Sequence, residues 1–270
     1  IENGVTRHPR VRLYLADGGR EDLAGGRYVR VNGRDWPIPG TRWKALALGA
    51  DGSLAPGQPG PAATQAYASL PSIPTMSDVP TTGLIGAAGF NAFSNALPML
   101  TEMNLAEPLG LTYTTKPFAT DVLSAGPASL ELRLATTAPE TGIWAVVSDV
   151  APDGTAHPMA VGRLSTAFPK VDRSRSLRGP RTGAIVEPYG VFDHKSPAAA
   201  GQDRLYRIEF WPIGNRFAAG HRLRLDIVGA SAFSMPGLPA VNTVRVGAGT
   251  GSRLLLPVLP GSHLGAGLGR

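Results

Sequence analysis

Four segments of this chain alternate apolar and polar residues with a period of two, and that pattern restricts the fold more than anything else in it. In RVRLYLAD (10–17), Val11, Leu13 and Leu15 alternate with Arg10, Arg12 and Tyr14. SLELRLAT (129–136) sets Leu130, Leu132 and Leu134 against Glu131 and Arg133, and RLYRIEFW (204–211) sets Tyr206, Ile208 and Phe210 against Arg207 and Glu209. RLRLDIVG (222–229) repeats the pattern with Leu223, Leu225 and Ile227. Successive side chains of a strand point to opposite faces, so each segment reads as a strand with one buried and one solvated face. Antiparallel sheets packed as a sandwich have that character. IWAVVSDV (143–150) is more continuously apolar and reads as a central strand covered on both sides.

Composition agrees with an all-β reading. The 34 glycines and 25 prolines in 270 residues burden helices but suit short strands joined by turns. With 43% apolar and 17% charged residues, the chain has the material for a sizeable core and is not disordered. The segment from about Pro56 to Gly110 differs, being rich in Pro, Ala, Ser, Thr and Gly, with a short helical possibility only over 92–104. A loop of that length inside a compact domain is uncommon and often functional. The tail after Pro260, GSHLGAGLGR, reads as disordered.

The formal charge of +6 raises the question of nucleic acid. The dense basic run RSRSLRGPR (173–181) has no interleaved aromatics on which bases could stack, so it reads as a solvated loop, and arginines that alternate along strands belong to a solvated or interface face. No nucleic-acid partner is expected, and no membrane partner, since no segment approaches eighteen uninterrupted apolar residues. Cysteine is absent, which removes disulfides and thiolate chemistry and fits the cytoplasm. The chain opens IENGVTRHPR without a methionine and reads as a piece of something longer.

Catalytic signatures are missing. GPASL at Gly126 and GASAF at Gly229 lack the second glycine of a nucleophile elbow. There is no H-E-x-x-H, no phosphate-cradling loop, and no G-x-G-x-x-G between strand and helix. GAGTG (247–251) lies between two strand patterns and reads as a hairpin turn. The histidines, at 8, 157, 194, 221 and 263, do not stand at metal-ligand spacing; His221, which opens a strand, is expected to pack or to bond a backbone group. In SDVAPDGTAHPMAVGRL (148–164), Asp149 and Asp153 could be a metal pair or turn punctuation. Calcium wants six to eight oxygens, and Pro-Asp-Gly is a turn sequence, so both carboxylates read as punctuation around a hairpin. No catalytic, metal or cofactor residue is assigned.

Five stretches in a fixed order carry a resemblance. WPIPGTRWKALALGADGSLAP, YTTKPFATDVLSAGPASLELRL, TTAPETGIWAVVSDVAPDGTAHPMAVGRL, FAAGHRLRLDIVGASAF, and VNTVRV followed by GSRLLLPVLPG are similar to the C-terminal domain of the X-Pro dipeptidyl-peptidase and cocaine-esterase (CocE/NonD) serine hydrolases. The resemblance spans 11–261. It departs at Gly142, where the family usually has aspartate, and in ASAFSMPGLPAVNT.

The resemblance implies an antiparallel jelly-roll sandwich, galactose-binding-like in architecture, over 11–261. Residues 1–10 would end a linker from an absent α/β-hydrolase domain, 56–110 would be a long loop insertion, and 262–270 a disordered tail. It further implies a non-catalytic role: packing on the hydrolase and cap domains of the same protein and shaping an active site for esters or amides, with no cofactor. The triad would lie in those other domains. Apolar residues of the insertion, Phe90 and Phe93 foremost, are the candidates for lining the substrate wall or a domain interface; the alternative is that the insertion folds back to cover an open end of the sandwich. A free-standing carbohydrate-binding jelly roll is the alternative from another class. An intact small esterase lacks its nucleophile.

Overall fold

The computed structural model describes residues 7–17, 27–57, 60–69, 110–229, 238–249 and 251–264. Fifteen strands run through these residues, and no α-helix occurs among them. In chain order they are β1 (Val11–Asp17), β2 (Tyr28–Gly33), β3 (Arg42–Leu48), β4 (Leu54–Pro56), β5 (Ala63–Ser69), β6 (Gly110–Thr114), β7 (Val122–Thr136) and β8 (Gly142–Val150). There follow β9 (Ala156–Ser165), β10 (Val171–Arg178), β11 (Ile185–Gly190), β12 (Arg204–Phe217), β13 (Arg222–Val228), β14 (Ala240–Val246) and β15 (Arg253–Val258).

The main sheet runs β4-β3-β15-β7-β12-β9-β8-β13-β6, with β1–β2 attached to β12 and β14–β5 attached to β7. A parallel bridge between Ser53 and Thr114 brings its two end strands together, so the sheet folds over into a nearly closed sandwich. Pairing is antiparallel except where β1 meets β12, at Ala16–Asn215 and Asp17–Arg216. β10 and β11 form a separate two-stranded sheet. All four alternating segments are strands in the expected phase: Leu130, Leu132, Leu134, Tyr206, Ile208, Phe210, Leu223, Leu225 and Ile227 all lie in the core.

β7 and β12 form the spine of the sandwich, in register from Arg204–Leu134 to Phe217–Val122. Their register shifts between Phe210 and Ile213, where Trp211 and Pro212 oppose Pro127 alone. Neither proline can donate a ladder hydrogen bond, and a bulge there bends both strands across the fold. β9 reaches β12 beside this bend, at Gly162–Phe210. A Cβ on Gly162 would stand 2.7 Å from the Glu209 carbonyl oxygen, so only glycine permits the approach.

Three expectations about polar faces and connections change. Glu131, placed on a solvated face by alternation, is 5% exposed and sits between its two cross-strand partners. Arg207 Nε donates to one carboxylate oxygen at 3.0 Å and Arg253 Nε to the other at 2.7 Å. β11 lies over this face, with Ser129 Oγ donating to the Ile185 carbonyl. On β13, Arg224 and Asp226 are likewise buried, joined at 3.0 Å, and Thr112 Oγ1 donates to Asp226 from the neighbouring strand. Period two tells the two faces of a strand apart; it does not say whether a second layer covers the polar one.

GAGTG is not a hairpin either. β14 and β15 do not pair with each other but add in succession to β7, at Val244–Leu134 and Arg253–Glu131. Nor is 56–110 wholly loop, because β5 lies within it and pairs with β14 from Ala63–Val246 to Ser69–Ala240. The remainder of the insertion, 58–59 and 70–109, lies outside the described residues, as does the helical possibility at 92–104. In the tail, Ser262 Oγ accepts from the Leu123 N–H and Leu264 packs into the core, while 265–270 are again outside.

Candidate functional site

Two places in the molecule gather side chains with chemical potential. The first is a polar corner where β8, β12 and the start of β13 meet. Asp149 is 1% exposed and lies inside β8, not after it, so its reading as turn punctuation is wrong. Its Oδ1 meets His221 Nδ1 at 2.8 Å, and its Oδ2 accepts from Asn215 Nδ2 at 2.9 Å. The His221 ring, expected from sequence to pack or to bond a backbone group, is largely covered and bonds a buried carboxylate. The hydrogen bond to Asp149 raises the imidazole pKa above its usual value, against the opposing effect of burial. Arg216 stands nearby, paired with Asp17 and Asp121, and disfavours the cation more weakly.

An aspartate holding a histidine is two parts of an acyl-transfer relay. The third part, a hydroxyl within hydrogen-bond reach of the ring, is missing among the described residues. Both Asp149 oxygens are engaged by protein groups, and no three of His, Cys, Asp and Glu gather around a metal-sized space among the described residues. The corner is a clip that joins three strands.

Asp153 fulfils the other half of the sequence reading. Gly154 N–H donates to the Ala151 carbonyl at 2.9 Å, closing the turn, and Gly154 has a φ of +90°. Thr155 N–H donates to Asp153 Oδ1 at 2.9 Å, which holds the exposed carboxyl below its ordinary pKa.

The second place is a groove where β11 lies across β9 and β12. One hollow of about 250 Å³ is lined by residues including Arg163, Phe192, Arg207, Glu209 and Trp211. A neighbouring one of about 390 Å³ shares Pro188 and Glu209 and adds Arg175, Glu187 and Tyr189. Phe192 is 62% exposed, Trp211 47% and Tyr189 42%. The bulge presents Trp211, and Arg175 stacks over the Tyr189 ring with its guanidinium carbon 3.7 Å from the centroid. Burial and the neighbouring Glu187 raise the pKa of Glu209. Sequence reasoning missed this groove. Half of its signal was available, since Tyr206, Ile208 and Phe210 point inward and Trp211 therefore points out; the β11 wall has no such trace.

Phe90 and Phe93, the residues proposed from sequence for a substrate wall, lie outside the described residues.

Residues 3–242 match the family of the X-Pro dipeptidyl-peptidase C-terminal non-catalytic domain. No curated protein matches by sequence. Among solved structures, a CocE/NonD family hydrolase from Staphylococcus aureus superposes with a TM-score of 0.72 at 14% identity, covering 96% of this chain and 43% of that one. An aminopeptidase from a marine sediment archaeon, Thaumarchaeota archaeon, gives 0.62 at 16% identity, covering 93% and 40%. An α-amino acid ester hydrolase gives 0.58 at 16% identity, covering 86% and 39%. The chain spans less than half the length of these structures.

Proposed function

The chain belongs to the family of X-Pro dipeptidyl-peptidase C-terminal non-catalytic domains, and on that premise we propose that it is the β domain of a serine hydrolase acting on ester or amide bonds. It packs against the α/β-hydrolase and cap domains of the same protein and walls part of their active site. The observation that supports this reading is the match over most of the chain to the family of X-Pro dipeptidyl-peptidase C-terminal non-catalytic domains. The likeness in fold to hydrolase chains more than twice as long supports it. Within the insertion, Phe90 and Phe93 are our candidates for reaching the mouth of the active site.

The test is an assay of this chain alone with a p-nitrophenyl ester. No saturable turnover is expected. Turnover abolished by a serine-directed fluorophosphonate would refute the non-catalytic assignment.

A second reading is favoured by one observation. Trp211, Phe192 and Tyr189 are exposed around a groove that also carries charged groups, and a sugar platform on a jelly roll, an architecture shared with lectin domains, would need exposed aromatics. Titration with oligosaccharides, followed by tryptophan fluorescence and compared with Trp211→Ala, separates the two. A saturable change lost in that variant would favour carbohydrate binding.

A further inference from the structure

We infer that the groove between β9, β11 and β12 binds an organic cation, an ammonium or guanidinium group on an apolar stem, with its charge against Glu187 and Glu209 and its stem against Trp211 and Phe192. The two carboxylates single this place out. Every other carboxylate side chain among the described residues meets a cation or a hydrogen-bond donor. Glu187 and Glu209 alone meet neither. They come from different strands, β11 and β12, yet line the same hollow of about 390 Å³. Burial, and then the charge of Glu187, raise the pKa of Glu209. A bound cation would relieve both effects.

The cations along the groove are engaged elsewhere. Arg207 Nε donates to the buried Glu131 at 3.0 Å. The Arg163 guanidinium lies over the Trp144 ring, 5.5 Å from its centroid, and that of Arg175 lies over Tyr189. None of the three forms an ion pair with Glu187 or Glu209. The Arg175–Tyr189 contact shows, within the protein itself, how an aromatic ring of this groove holds a guanidinium.

Strand geometry supplies the apolar wall. Arg207, Glu209 and Trp211 occupy alternate positions of β12 and share its outward face. Glu209 lines both hollows, and the second of these, about 250 Å³, also holds Trp211 and Phe192, so the acidic end runs into the aromatic end. The exposed Trp211 ring has no ring or cation partner among the described residues. Phe192 is braced by the edge of Phe168, with centroids 5.6 Å apart. Gly190 leaves room for it, because a Cβ there would stand 2.6 Å from the Phe192 ring. An aromatic face attracts a cation, and carboxylates beside it add charge-assisted hydrogen bonds; together they favour a charged head on an apolar stem over a neutral ligand.

The experiment is a calorimetric titration of the full-length polypeptide with benzylamine, which is protonated at neutral pH, and with benzyl alcohol, its neutral counterpart of similar size. Benzylamine is expected to bind saturably and benzyl alcohol about tenfold more weakly or less. Glu187→Gln combined with Glu209→Gln should weaken benzylamine binding by about tenfold and leave benzyl alcohol unchanged. Trp211→Ala should weaken benzylamine binding by about fivefold. Asp153→Asn, a carboxylate outside the groove, should leave it intact. Should a variant fail to fold, the contrast between the two ligands on the unmodified protein decides. Equal binding of the two, or no saturable heat with benzylamine, overturns the inference. So does oligosaccharide binding through Trp211 where benzylamine does not bind, which would give the groove to sugar. The domain reading rests on other observations, and the ester assay tests it separately.

Discussion

Asp149 and Asp153 stand four positions apart and occupy opposite environments. The corner at Asp149 is sealed beneath three strands, and its carboxylate is committed through both oxygens. The turn at Asp153 faces water, and its carboxylate bonds one backbone N–H two residues along. Local sequence marks Asp153, between Pro152 and Gly154, as a turn residue, but nothing in it shows that Asp149, three residues before that proline, is buried. What separates them is distance along the chain to their partners. Asp153 finds its partner within the turn, whereas Asp149 finds His221 and Asn215 from strands that only folding brings near. A buried polar group left without partners costs far more than an exposed one.

The largest expected effect tests the corner. Asp149→Ala strands the His221 ring and the buried Asn215 amide together, and should lower unfolding stability by about 3 kcal/mol. Urea denaturation at a pH where His221 is charged measures this; a loss no greater than that of an ordinary surface substitution would mean the corner is wet. Gly154→Val probes the turn. A Cβ there meets nothing within 4 Å, so the penalty is purely that of a β-branched residue at a φ of +90°, about 1 kcal/mol. An unchanged melting temperature would show that the turn has another conformation.

A pH series sharpens the contrast further. His221 has a folded pKa raised above its unfolded value of 6.5. Its contribution is therefore fully present below pH 6.5 and is lost as pH rises through the folded pKa. Relative to His221→Gln, the unmodified protein should lose stability across that window; parallel curves for the two would place the proton elsewhere. Asp153→Ala is expected to have the smallest effect. The folded pKa of Asp153 is lowered, so its contribution is present above the ordinary carboxylate range and fades only on acidification below it. A larger loss from Asp153→Ala than from Asp149→Ala would invert the comparison.

Much of the sandwich was legible residue by residue. Leu130, Leu132 and Leu134 announced a strand and its inward face, and Pro152-Asp153-Gly154 announced the turn that β8 and β9 share. The polar side of β7 was misjudged at Glu131 because the covering layer, β11, comes from residues more than fifty positions away. The same blindness applied to GAGTG. Two strands joined by a short glycine-rich link pair with each other in a hairpin, yet here both pair with β7, and no local residue records that choice. The groove at Trp211 needed the bulge that prolines 127 and 212 place opposite each other, a meeting visible only once β7 and β12 are in register.

By itself, then, the sequence determined the class of fold, the inward face of each alternating strand and the positions of its sharp turns, because side-chain period and glycine conformation act over a few residues. Tertiary structure alone decided which polar faces are buried, how Asp149, Asn215 and His221 meet, and that β14 and β15 each add to β7. Those outcomes depend on strands brought together from distant parts of the chain, where burial and charge are set by neighbours that no local pattern names.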